Sequence, residues 1–166
     1  MKKEHLPLYG PGPLYVGVIA ACTAAAALCA RMPALAAGRL PDARGALTVL
    51  GVLLILAGVA LWIYAVPVSK IDDGILENRL VTSGAYAWVR NPIYSAFMLA
   101  CDGALAIVGN LWFMPLPLFY WLFLTLLMRR TEEKWLLSLY GREYAAYCAR
   151  VNRCWPVPPK KGADRP

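Results

Sequence analysis

The sequence predicts an all-α integral membrane protein with about four transmembrane helices, and three observations carry that prediction. Sixty per cent of the 166 residues are hydrophobic and only 16% are charged. Mean hydropathy is +0.51. The apolar residues also gather into runs close to the roughly 20 residues that a bilayer-spanning helix needs. Four runs qualify: Leu14 to Ala30, Ala46 to Pro67, Ile93 to Val108 and Leu111 to Met128. At this length the chain, 1–166, reads as a single membrane-embedded domain.

The first span follows a leader holding Pro7, Pro11 and Pro13, unlike the compact basic start of a signal peptide, so the span is expected to be retained even though Ala34-Leu35-Ala36 resembles a cleavage site. The alanine run Ala24 to Ala27 within it would allow close helix contact. The second span is the clearest. Before the third, Asn91-Pro92 is a helix-start pair, because asparagine caps free backbone N–H groups and proline at the first helical position misses no donor. Only Gly109 and Asn110 separate the third span from the fourth, which predicts a tight helical hairpin. Pro115 and Pro117 should kink the fourth helix or mark its beginning. Beyond it, RRTEEKWLLSLYGREYAAYCARVNRCWP alternates charge and large apolar residues at helical spacing. Two short amphipathic helices are expected there, with Thr131 capping the first and Gly141 ending it.

Charge sets the orientation. Lys2 and Lys3 precede the first span, and Lys70, Arg79 and Arg90 lie between the second and third. Nine more basic residues follow Met128, from Arg129 to Arg165, against only Arg31, Arg39 and Arg44 in the first loop. The positive-inside rule therefore places both termini and the central loop in the cytoplasm. The net charge of +7 reads as topology and attraction to anionic lipid, with no motif for nucleic acid. Five cysteines, Cys22, Cys29, Cys101, Cys148 and Cys154, form neither a CxxC pair nor a zinc spacing, so free thiols and no metal are expected. His5 is the single histidine, which disfavours histidine-based catalysis.

The densest chemistry lies in LVTSGAYAWVRNPIY, Leu80 to Tyr94. A helix beginning at Asn91-Pro92 presents unpaired N–H groups and the positive end of its dipole, which suit a carboxylate or phosphate. Tyr86, Trp88 and Tyr94 would serve equally as interfacial anchors, and Arg90 would suit a lipid phosphate. After the fourth span comes the pair Glu132-Glu133, which would suit a helix N-terminus by roughly 0.3 to 1 kcal/mol even without a ligand.

Together, the run LVTSG-x-YAW-x-R-x-P-x-Y and the Glu-Glu pair followed by aromatic-Gly-x-Glu-Tyr at Tyr140 to Tyr144 resemble the isoprenylcysteine carboxyl methyltransferase family, itself related to membrane phospholipid methyltransferases. The resemblance covers about 78–156 and leaves the first two spans out. It implies an integral membrane enzyme that takes methyl from S-adenosylmethionine in a cytoplasmic pocket. By position, that pocket would draw on Asn78, Arg79, Leu80, Val81, Tyr86, Asn91, Pro92, Ile93, Tyr94 and Glu132. The methionine carboxylate would suit the helix start, the ammonium Glu132, and the adenine an apolar wall with Leu80, Val81 and Tyr86.

Two departures from the family pattern bear on the chemistry. Asn91 stands where the family often has histidine, so that position cannot become cationic. Met128 stands where the family places a substrate-binding arginine, leaving Arg129 or Arg130 to take that role. No catalytic residue is assigned. A carboxylate acceptor would arrive deprotonated and need only alignment and exclusion of water. An amine acceptor would want a base such as Glu133 or Asp102. The expected partners are the bilayer and a lipophilic or lipidated acceptor. A phospholipid amine methyltransferase, an NADPH-dependent membrane reductase and a non-enzymatic scaffold are the alternatives. Asp102, about nine residues into the third span, should face protein or water, because an aspartate at a helix centre costs roughly 2.5 to 3.5 kcal/mol to insert.

Overall fold

The computed structural model describes residues 10–68 and 79–159, so Asn78, His5 and the basic residues Lys2, Lys3 and Lys70 lie outside the described part. Among the described residues there are five α-helices: α1 (Gly12–Cys29), α2 (Arg44–Ile63), α3 (Pro92–Val108), α4 (Pro115–Arg130) and α5 (Glu132–Arg150). Gly12–Cys29, Arg44–Pro67 and Leu111–Arg130 are long and apolar enough to cross a bilayer, and Pro92–Val108 is a shorter apolar helix. The chain is an all-α membrane protein.

The spans differ from their sequence boundaries mainly at their ends. The second leaves α-helical geometry at Tyr64–Val68, a wider π turn that accommodates Pro67. The fourth begins as a short 3-10 turn, Leu111–Phe113, before Pro115 opens α4 without a kink in its middle. Between α3 and this turn, Gly109 takes the left-handed conformation at φ 61°, which lets the chain reverse in two residues. Asn110 then accepts a hydrogen bond from the Trp112 amide at 3.1 Å. The tight hairpin therefore has a residue-level cause.

α2 and α3 pack antiparallel through small residues. A Cβ placed on Gly51 would lie 2.5 Å from the Gly103 carbonyl oxygen, and one on Gly103 would lie 2.5 Å from that of Gly51. Seven residues along, a Cβ on Gly58 would lie 2.6 Å from the Ala96 carbonyl oxygen. Backbone thus meets backbone at two levels, which is how helices associate where lipid removes any hydrophobic drive. The remaining faces of α2 carry exposed Val49, Leu53, Leu56 and Val59, as a lipid-facing surface should.

A second core joins α1, α3 and α4. Tyr15, Ile19, Met98, Tyr120, Leu124 and Met128 are fully buried in it. Beyond α1, the loop is tied to the hairpin: Asn110 Nδ2 donates to the Leu35 carbonyl at 3.1 Å, and Arg39 and Asn110 pair as an isolated bridge. Arg39 also donates to the carbonyls of Ala30 and Arg31, just past the end of α1, and to that of Met32, which the Leu35 amide also reaches. Arg39→Ala is expected to lower unfolding free energy by about 1 kcal/mol, because exposed carbonyls recover water in exchange. Thermal denaturation in detergent would check it.

Candidate active site

Three helix starts meet at one end of the bundle. α4 stops at Arg130, Thr131 takes a non-helical conformation at φ −124°, ψ −91°, and α5 begins at once, placing Glu132 and Glu133 in its first turn. Thr131 does not cap α5 as its position led us to expect. Its Oγ1 donates back to the Leu127 carbonyl at 2.6 Å, which satisfies the outgoing helix in place of the incoming one. The adjacent glutamates point to different partners, and that divergence organises the site.

Glu132 meets α3 and α1. Its Oε2 accepts a hydrogen bond from Tyr94 Oη at 3.3 Å. Gly10 lies close to the same oxygen, and Gly12 lies against the Tyr94 ring so tightly that a Cβ there would come within 2.6 Å of it. Tyr15 stands edge-on to Tyr94, with ring centroids 6.0 Å apart. Burial raises the proton affinity of the Glu132 carboxyl, the Tyr94 hydrogen bond opposes that, and the neighbouring Glu133 charge adds to it. The net direction is upward.

Glu133 is taken up by arginines. Arg153 holds it in a fork, Nε to Oε1 at 2.6 Å and Nη2 to Oε2 at 3.0 Å, and Arg90 Nη1 lies 3.1 Å from Oε1. The Arg90 side chain is only 8% exposed and its Nη1 also donates to Cys148 Sγ at 2.6 Å. Glu133 thus fastens the loop before α3 to the segment after α5. The Glu133 hydrogen bonds hold the Arg153 guanidinium more firmly protonated than usual.

Further bonds tighten the same junction. The Arg90 amide donates to the Asn152 carbonyl at 2.8 Å, and Val89 pairs with Asn152 as a parallel bridge. Asn91 makes no side-chain cap on α3. Its Nδ2 instead donates to the Arg153 carbonyl at 3.0 Å, because the C-terminal segment supplies an acceptor where the amide would otherwise turn inward. Ser95 Oγ donates to the Cys154 carbonyl at 2.6 Å, and Tyr147 Oη to the Tyr86 carbonyl at 2.6 Å. Asn152 Oδ1 accepts from the amides of Cys154 and Trp155, turning the chain after α5.

On the far side of Glu133 lies an aromatic cluster in which Tyr144, Tyr147 and Val151 are buried and Leu80, Leu136, Tyr140 and Cys148 pack around them. Among the described residues, two buried polar atoms there lack a hydrogen-bond partner: Arg90 Nε, beside Tyr144 and Tyr147, and Tyr140 Oη. Gly141, at φ 51°, kinks α5 between Tyr140 and Tyr144, so the two expected short helices are present as the halves of α5.

The residues singled out from the sequence fall into three groups. Tyr94 and Glu132 touch, and Pro92 and Ile93 form the turn beneath Tyr94, with Pro92 buried. Leu80, Val81 and Tyr86 are half-buried, and Leu80 and Tyr86 adjoin the aromatic cluster, whereas Arg79 is exposed. Arg129 and Arg130 are exposed at the end of α4, while Met128, one turn before Glu132, is buried in the α1–α3–α4 core. Asn78 lies outside the described residues. Sequence reasoning missed the Arg90–Glu133–Arg153 link. The only available signal was an unpaired second glutamate with basic residues in both flanking segments.

A model of the phospholipid methyltransferase family matches residues 46–143, which include α3 and the first turns of α5. Over 85 residues the chain is 34% identical to the protein-S-isoprenylcysteine O-methyltransferase of Schizosaccharomyces pombe, a match covering 50% of this chain and 35% of that protein. The chain thus spans about a third of that relative's length. No solved structure matches significantly. The match over α2 to α5 contains both the Tyr94–Glu132 contact and the loop that Glu133 anchors, and on that basis the chain belongs to the phospholipid methyltransferase family.

Proposed function

We propose that this protein transfers a methyl group from S-adenosylmethionine to a lipophilic acceptor at the membrane. The observation that carries the reading is Glu132, a carboxylate withdrawn from solvent, held by Tyr94 and set where α1, α3 and α5 begin. A half-buried carboxylate with one hydrogen bond has acceptor capacity left for an ammonium. The first turn of α3 leaves the Ile93 and Tyr94 amides free for a carboxylate, since the first turn of any helix has unpaired donors. Apolar Leu80 and Val81 with Tyr86 supply a wall for a purine, next to the partnerless Arg90 Nε and Tyr140 Oη. The residues present therefore fit an amino acid joined to a nucleoside.

When bound, S-adenosylmethionine supplies an electrophilic methyl on a cationic sulfur. The chain's own work is to orient that group and keep water from it, using Tyr94 and Glu132 at one end and the clamped loop at the other. Because the Schizosaccharomyces pombe relative is named for O-methylation of isoprenylcysteine, a lipidated carboxylate is the first acceptor to test. The family's description makes a phospholipid amine the second. Arg79, Arg90, Arg129, Arg130, Lys134 and Arg142 all flank the site end of the spans, which favours a cytoplasmic site.

Calorimetric titration of the purified protein with S-adenosylmethionine and S-adenosylhomocysteine tests the reading, with NADPH as the competing cofactor. One-site binding of the first two and none of NADPH is expected. Glu132→Ala should weaken that binding by roughly 10- to 100-fold, the worth of a charged hydrogen bond of about 1.5 to 3 kcal/mol. Unchanged affinity in the variant would remove Glu132 from the site. The dependence on pH has a definite sign. Only ionised Glu132 attracts an ammonium, and its proton affinity is raised, so binding should weaken on acidification at a higher pH than for a free glutamate, about 4.3. Glu132→Gln should bind weakly with that pH dependence gone.

A further inference from the structure

We infer that Asp102 marks a second subsite, at membrane depth, which takes an N–H or O–H donor carried by a lipophilic ligand. The inference rests on the proposed function only in naming that ligand as the acceptor.

Asp102 lies on α3 eight residues beyond Tyr94. At 1.5 Å per residue that is about 12 Å deeper along the helix, and the i, i+4, i+8 series Tyr94, Met98, Asp102 follows one face. Met98 on that series is fully buried in the core shared with α1 and α4. Asp102 is turned toward Tyr15 of α1 and Tyr120 of α4, and Tyr15 in turn stands against Tyr94.

Its Oδ1 is buried and has no hydrogen-bond partner among the described residues. The neighbouring hydroxyls cannot supply one, since each carries a single proton and each proton is committed. Tyr15 Oη donates to the Tyr120 carbonyl at 3.3 Å. Thr23 Oγ1 donates to the Ile19 carbonyl at 2.8 Å, which leaves Tyr120 Oη as the donor in its 2.8 Å contact with Thr23 Oγ1. The groups in electrostatic reach of Asp102 are Tyr15, Tyr120 and Cys101, all uncharged, and among the described residues the Arg90–Glu133 and Arg153–Glu133 ion pairs lie elsewhere. An unpartnered acceptor in a span is costly in either protonation state, so its retention calls for a donor from outside the chain.

The test uses tail-matched probes on the full chain in detergent: dodecylamine, dodecanol and dodecane, read by infrared difference spectroscopy of the carboxyl stretch and by binding isotherms. An amine or alcohol should perturb a carboxyl band that Asp102→Asn lacks, while dodecane leaves it unmoved. Asp102→Asn should weaken binding of the responsive probe by about tenfold or more. Which of the two donors responds identifies the acceptor's polar group. S-Adenosylhomocysteine binding should be the same in Asp102→Asn as in the parent, which shows the variant folded and keeps the cofactor reading separate. If the parent fails to bind the cofactor yet the Asp102 band shifts, the proposed activity fails and the subsite stands. A band insensitive to both donors, or one that tracks protein concentration because a second copy supplies the partner, overturns the subsite.

Discussion

Glu133→Ala is expected to destabilise the protein by about 3 to 5 kcal/mol, the penalty for leaving a buried charge without its partner. The charge left behind is Arg90, 8% exposed, whose side chain then keeps the Cys148 sulfur as its partner among the described residues. Arg153 is 24% exposed and regains water on release, so Arg153→Ala should cost much less. The asymmetry is the informative part. Denaturation of the single variants and of the double variant Glu133→Ala/Arg90→Met would measure it, and the double variant should recover much of the loss, since it removes the stranded charge. Melting of Glu133→Ala within about 1 kcal/mol of the parent would show that the link carries no stability.

Gly103→Leu should abolish the native packing of α2 on α3. Even a Cβ would sit 2.5 Å from the Gly51 carbonyl oxygen and 2.9 Å from Ile55 Cγ1, so the helices must separate and lose contact at Gly58 and Ala96 as well. Backbone cannot yield as a flexible side chain does. Loss of monodisperse protein on size exclusion in detergent is the expected result. Gly17→Leu, where nothing lies within 4 Å of the added carbon, should be tolerated and serves as the control. Equal behaviour of the two variants would contradict the packing described.

Helix number and order were legible in the sequence because lipid-facing spans carry their signal in composition, and α2 shows it most plainly. Gly109, Pro115 and Gly141 were legible for a different reason, since each has a backbone requirement that other residues meet poorly. Tyr94 and Glu132 were assigned to one candidate pocket through motif resemblance and not through any local pattern, and their mutual hydrogen bond was not foreseen. Asn91 and Thr131 show the limit. Both occupy capping positions, and both spend their side chains on other acceptors, Arg153 and Leu127, whose availability depends on tertiary placement. The division of labour between Glu132 and Glu133 was equally hidden, because two adjacent identical residues differ only in the direction α5 gives them.

The strap formed by residues 147–155 has a consequence for how the protein is made. Its bonds to Tyr86, Asn91 and Ser95 join residues 59 to 62 positions apart, with α3, α4 and the first half of α5 synthesised in between. The spans enter the bilayer in order as they emerge, yet these three bonds of the loop and the first turn of α3 cannot form until Tyr147, Arg153 and Cys154 have left the ribosome. Membrane insertion and site assembly are therefore separate events in time, and a nascent chain already fixed in the bilayer has not yet acquired a closed site.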